Sequence, residues 1–279
     1  ADQLIHEDRD FWGLLHKFCQ LAQEKRMENG ALNMARKEFE FDISNPEQVR
    51  ILKLNRNSPS SRIIEELAIA VNRETGRLFH EAEFPGIYRT QSSYKIVKEP
   101  EYENQQLPEN IRVEPARLTT IAGNHAGLGC EVYMHATSPI RRFVDLLTQH
   151  QLNKLINDEE PVYSSEDMIR WAEAITLRQR KYNRAEKNIL KYWKFKYLHQ
   201  HMKELFEATV RKQLSNNNTE IELVELDCIA QVSGLRGHNE EEQIVLRINE
   251  VRLDPLKLVV RGFKSCPEGE SLHRLDSVD

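Results

Sequence analysis

The sequence predicts an α+β fold in which a larger mixed segment, residues 1–202, precedes a small all-β barrel of the OB type, residues 203–279. Two patterns carry that reading. Up to about His201, apolar residues recur mainly at the three-to-four-residue spacing of helices, broken by short alternating stretches. From Glu204 to Lys264 they alternate singly, in about five short stretches parted by polar turns, which suits a small barrel.

The elements follow in order. Residues 7–28 read as an amphipathic helix on Phe11, Leu14, Leu15, Phe18 and Leu21, stopped by Asn29-Gly30. Lys37 to Leu54 alternates like strands, including Phe39-Glu40-Phe41 and Val49-Arg50-Ile51-Leu52. Asn57-Ser58-Pro59-Ser60-Ser61 opens a helix from about Arg62 to His80, with Ile64, Leu67, Ala68 and Val71 as its core stripe. Residues 84–112 are irregular and polar, and a short helix is expected near Glu114–Ala122. A passage with Gly123, Gly127 and Gly129 leads into strand-like Cys130–Met134.

Ser138-Pro139 then reads as a helix start, serine capping the first amides and proline fitting the first helical position. Ile140, Phe143, Val144 and Leu147 would face inward. Asp158-Glu159-Glu160-Pro161 breaks the chain before one long helix from Ser165 to about His201, striped by Met168, Ala172 and Ile175, then Leu190, Trp193 and Leu198. The barrel strands include Phe206–Val210, Glu220–Leu223, Ile244–Ile248 and Leu256–Val260.

Charge and cysteine usage bound the function. A net charge of −5 gives no general attraction to nucleic acid, so any such binding must come from local patches. Met168 to Lys203 is one, with ten Lys or Arg against two Glu. The four cysteines, Cys19, Cys130, Cys228 and Cys266, lack metal-type pairing and read as reduced thiols of a cytoplasmic protein. No apolar run approaches a membrane span.

Chemistry gathers at residues 133–146. A helix starting at Ser138 would put Arg141 and Arg142 in its first turn, where cations are unfavourable by about 0.3–1 kcal/mol each. Free amides, the helix dipole and two guanidiniums suit a phosphate, and Asp145 is spaced to fix Arg141. The plainer reading is two arginines covering a solvent-facing turn. Glu65 and Asn72, two helical turns apart, suit a ribose contact, against an ordinary solvated Glu-Glu pair at 65 and 66. His125 and His135 near Tyr133 suit either RNA contact or a structural role, and Phe39 and Phe41 either base stacking or core.

Tyr133-x-His135-x-Thr137-Ser138-Pro139-Ile140-Arg141-Arg142-Phe143-x-Asp145-Leu146 resembles the signature of the ribonuclease II (RNB) exoribonucleases. His125-Ala126-Gly127-Leu128, Ile64–Asn72 around Glu65-Glu66, Ile87-Tyr88-Arg89 and Ala185-Glu186 resemble further motifs of that family, in its order, over roughly residues 1–200. The resemblance implies the C-terminal half of an RNB-type catalytic domain, followed by an OB-type RNA-binding barrel. The implied activity is 3′→5′ hydrolysis of single-stranded RNA to nucleoside 5′-monophosphates with magnesium (Mg2+).

Arg141 is then the expected catalytic residue. Glu65, Asn72, Arg89, His125, Tyr133, Thr137, Ser138, Arg142 and Glu186 are the expected RNA contacts. The family's metal-binding aspartate cluster has no match here, so its ligands are expected on another segment, and the N-terminal segment of the same enzyme is the expected partner. Ala126, where an aromatic is usual, and Gln149-His150, where His-Arg is usual, depart from the pattern. They give some support to a non-catalytic RNA-binding or scaffolding protein that keeps the fold.

Overall fold

The structure is a computed structural model and describes residues 11–32, 38–45, 47–54, 58–92, 95–96, 111–112, 114–214, 218–233, 235, 237–263 and 270–278. It divides into two compact units, residues 1–36 with 56–181, and residues 37–55 with 182–279.

In the first unit, α1 (Phe11–Glu28) packs beside α2 (Pro59–Glu81). Ser58 caps α2 by accepting from the amide of Ser61, and Pro59 sits at its start, as the sequence suggests. The inward face of α2 is Ile63, Glu66, Ile69, Asn72, Thr75, Gly76 and Phe79; Ile64 and Val71, expected in its core stripe, are 69% and 52% exposed. On α1 the expected stripe is likewise uncovered, with Phe11, Leu14, Phe18 and Leu21 all exposed while Cys19 and Arg26 turn inward.

Expected helix at Glu114–Ala122 is instead strand at Arg117–Thr119, which pairs antiparallel with Tyr88–Thr90. Local propensity gave way to a partner nearly thirty residues upstream. Cys130–Met134 makes only isolated bridges, Met134 to Tyr88 and Cys130 to His125. Helix α3 spans Phe143–Ile156 and α4 spans Ser165–Gln200, entered through a reciprocal cap in which Ser164 and Asp167 exchange hydrogen bonds. Ile87, Val144, Leu147, Met168 and Ala172 form one small core; Phe79, Tyr88 and Met134 form another.

The second unit is a closed five-stranded barrel. Strands 205–213 and 218–223 form a hairpin, 228–233 pairs with 218–223, 243–253 pairs with both 205–213 and 256–263, and 256–263 pairs parallel with 228–233 to close the ring. Alternation decides what is inside: in strand 218–223 Thr219, Ile221 and Leu223 are buried and their neighbours are not. The hairpin of 38–42 and 50–54, and Phe195, Tyr197 and Leu198 from the last part of α4, join the same core. Phe39 and Phe41 pack against that core, and Lys194 lies over the Phe39 ring at 4.7 Å, so they are packed where base stacking had been the other possibility. Among the described residues, no helix is long and apolar enough to cross a membrane.

Candidate nucleic-acid interface

Asn72 organises the site. Buried on the inward face of α2, it accepts from the amide of Ala136 at 2.8 Å and donates through Nδ2 to Tyr133 Oη at 2.9 Å and Thr137 Oγ1 at 3.4 Å. Its carbonyl also takes the amide of Met134 at 3.2 Å. A single helical residue thus fixes both side chain and backbone of segment 133–137. Gln149, on α3, donates to the Ala136 carbonyl at 2.7 Å from the other side.

The arginines lie ahead of α3, in a turn, and not in its first helical turn. The amides of Arg141 and Arg142 both reach the Ser138 carbonyl, at 3.3 and 3.0 Å, and Arg142 is the extended residue that caps the helix. The reason is Asp145. Fully buried in the first turn of α3, its Oδ1 accepts from the amide of Ser138 at 2.8 Å and from Arg142 Nη2 at 2.7 Å. The carboxylate that was expected to fix Arg141 therefore fixes Arg142, and it occupies the helix N-terminus itself. Arg142 Nη2 also reaches Thr137 Oγ1 at 3.5 Å. Arg141 is exposed, and among the described residues its guanidinium makes one long hydrogen bond, Nη2 to Ser138 Oγ at 3.4 Å. Ile140, expected in the core, is fully exposed beside it.

Beneath the turn, His125, Tyr133 and His135 pack edge to face, with ring centroids 5.4 and 5.9 Å apart along the row. Burial, then the charge of Arg89, pushes His125 down to about 4. Burial, then Arg142 and Arg89, pushes His135 down to about 3, with a smaller push from Arg141. Burial raises the Tyr133 phenol. All three rings are neutral near pH 7. The charges of Arg142, Arg89 and Arg141 all act on His135, and that of Arg89 acts on His125, so the buried rings stay uncharged beside this cationic segment.

Of the expected contacts, the structure brings together Asn72, Arg89, His125, Tyr133, Thr137, Ser138, Arg141 and Arg142. Glu65 is exposed on α2, and its neighbour Glu66 is the buried one. Glu66 is gripped by Arg26 of α1, whose Nε lies 3.0 Å from Oε2 and whose Nη2 contacts Oε1. Arg26 Nη1 also donates to the Leu128 carbonyl at 3.0 Å. Glu186 is exposed on α4 and belongs to the second unit. Sequence reasoning missed the Arg26–Glu66 pair, although Ile63, Glu66 and Ile69 at three-residue spacing carried the signal.

Magnesium needs several carboxylate or carbonyl oxygens in an octahedral arrangement. Among the described residues of this cluster, Asp145 is the sole carboxylate, with Oδ1 already engaged by Ser138 and Arg142. The residues here do not fit a magnesium site.

The RNB domain family matches residues 6–158. An uncharacterized ribonuclease of Synechocystis sp. is 23% identical over 211 residues, which is 74% of this chain and 32% of that protein, so the chain spans about a third of the length of this relative. Among solved structures, an active-site mutant of the Dss1 exoribonuclease from Candida glabrata superposes with a TM-score of 0.76 at 16% identity, covering 91% of this chain and 35% of that one. RNase R from Mycoplasma genitalium, in complex with ribose-methylated single-stranded RNA, superposes with a TM-score of 0.72 at 13% identity, covering 88% and 48%. At such identities the structural likeness concerns the fold.

Proposed function

The chain belongs to the RNB domain family, and from that premise we propose that it forms the RNA-engaging portion of a 3′→5′ exoribonuclease. The substrate in this reading is single-stranded RNA and the products are nucleoside 5′-monophosphates. The observation that carries it is the segment 133–145, held by Asn72 and Asp145, in which Arg142 is locked and Arg141 stands exposed with one long hydrogen bond among the described residues. As a phosphodiester is hydrolysed, negative charge grows on the non-bridging and leaving oxygens, and a guanidinium held in place stabilises that charge. Arg141 is the arginine with donors to spare and takes this role. Arg142, locked by Asp145, shapes the turn and offers its remaining donors to a neighbouring phosphate. Asn72 positions the turn, while Ser138 and Thr137 add hydroxyl contacts at its mouth.

Magnesium enters as an expectation of the family resemblance alone. Its ligands would come from another segment of the same protein, which is also the proposed partner. The uncovered stripe of Phe11, Leu14, Phe18 and Leu21 on α1 supports such a segment. Glu65 and Glu186 are retained as proposed contacts to the terminal nucleotides, and the cytoplasm as the proposed location.

The test is decay of end-labelled single-stranded RNA by the full-length protein and its Arg141→Ala variant. Magnesium-dependent release of mononucleotides, slowed on the order of 100-fold or more by the substitution, is expected. Salt-sensitive RNA binding without cleavage by the full-length protein would instead establish the non-catalytic reading.

A further inference from the structure

We propose that His201, Glu204 and His273 form a site for a transition-metal ion of the zinc class, separate from the arginine cluster. His201 follows the end of α4 within one turn and Glu204 comes three residues later. His273 arrives from the chain's last described stretch: its amide donates to the Leu205 carbonyl at 2.7 Å, and Leu272 bridges Leu205. One potential ligand atom from each side chain lies within 4.8 Å of the others. His201 Nδ1 is 2.8 Å from Glu204 Oε1, and His273 Nδ1 contacts Glu204 Oε2.

Three features favour a metal over a mere hydrogen-bonded cluster. Both imidazoles turn the same nitrogen, Nδ1, toward one carboxylate, with their rings 4.9 Å apart. The far nitrogen of His273 is already oriented: its Nε2 lies 2.7 Å from the hydroxyl of buried Tyr197. A metal-bound histidine commonly donates its second N–H to such a partner, which fixes the tautomer. The cluster also stands at the carboxyl end of a long helix, where the dipole favours a cation.

Two nitrogens and one oxygen suit zinc or a similar ion, whereas magnesium prefers oxygen alone. Bonds of about 2.0–2.1 Å in a tetrahedron place ligands roughly 3.3 Å apart, so opening the present contacts by small side-chain rotations accommodates the ion. Three protein ligands leave a position for water. Because His273 lies 69 residues after Glu204, a bound ion would staple residues 270–278 to the barrel's first strand and the end of α4.

Zinc chloride is titrated into the full-length chain, first stripped with chelator, by calorimetry, and cobalt(II) is bound in parallel to read its visible spectrum. One-to-one binding with a tetrahedral cobalt spectrum and a raised unfolding temperature are expected. His201→Ala and His273→Ala should lose binding, His199→Ala should keep it, and Tyr197→Phe should weaken it on the order of 10-fold or more. Glu204→Gln, which keeps the side chain's size and one acceptor oxygen, guards against loss through misfolding: its circular dichroism should match the parent while its zinc affinity falls. No binding by the parent, or equal binding by the His201, His273 and Glu204 variants, would overturn the assignment.

Discussion

Glu66 offers the sharpest separation of fold from function in this chain. If its carboxylate serves α1 and α2 and not RNA, removing its partner must destabilise the protein. Both side chains are nearly inaccessible, at 9% for Arg26 and 4% for Glu66. Arg26→Met leaves a buried carboxylate without its counter-ion, which costs about 3–5 kcal/mol. At roughly 2–4 °C per kcal/mol for a unit of this size, the unfolding temperature should fall by about 10 °C. Adding Glu66→Leu removes the stranded charge. The double variant then lacks chiefly the hydrogen bond from Arg26 to the Leu128 carbonyl, a remaining loss of about 1 kcal/mol. Recovery of most of the lost stability is therefore expected, read by guanidinium denaturation followed by circular dichroism. RNA affinity, measured by fluorescence anisotropy well below the unfolding temperature, should be unchanged in both. A stable Arg26→Met variant, or a double variant as weak as the single, would refute the reasoning; lost RNA affinity in a stable Glu66→Gln variant would move Glu66 to the RNA contacts.

Three further outcomes are expected. His125 and His135 titrate at about 4 and about 3 when folded, against an ordinary 6.5. The unfolded chain takes up the protons first, so the stability they contribute is full above about 6.5 and is lost as pH falls through the window toward 4 and 3; at about 1.4 kcal/mol per unit, His135→Gln should visibly flatten the pH profile of the denaturation midpoint. Asp145→Asn should lower stability by about 2–4 kcal/mol through its buried bonds to Ser138 and Arg142, and a calorimetric midpoint equal to the parent's would count against the turn's dependence on it. Gly129 has φ +62, and an added Cβ would meet the Arg26 carbonyl oxygen at 2.4 Å; Gly129→Ala should therefore cost more than the ~1–2 kcal/mol of a left-handed residue alone, which thermal unfolding would show.

What the sequence revealed was set by local rules, and what it hid was set by distant partners. The long helix beginning at Ser165 is legible because the Asp158–Pro161 break and the helical spacing from Met168 to Leu198 are both local. The barrel is legible because its alternation is regular enough to survive without knowledge of pairing. The inward face of α2 is misread because a carboxylate stands where an apolar residue is sought; only Arg26, forty residues earlier, makes that position buryable. Strand 117–119 is hidden for a similar reason, since its extended form is decided by Tyr88–Thr90. Within the site, the sequence paired Asp145 with Arg141, whereas the structure pairs it with Arg142.

The two Ser-Pro pairs show how the difference arises. Ser58-Pro59 and Ser138-Pro139 present the same helix-start signal, and only the first is one. At Ser58 the side chain finds the amide of Ser61 and the helix begins. At Ser138 the backbone amide is taken by buried Asp145, and that carboxylate also holds Arg142. A charged group seven residues downstream thereby delays the helix until Phe143 and leaves Arg141 on a turn. The displacement has a chemical consequence. In a first helical turn both arginines would oppose the dipole and compete for one anion with the helix amides. In the turn, Asp145 neutralises the helix end and one arginine together, and among the described residues the other keeps nearly all its donors, as its proposed phosphate contact requires. The motif's second arginine and its aspartate are therefore the scaffold on which the first becomes available.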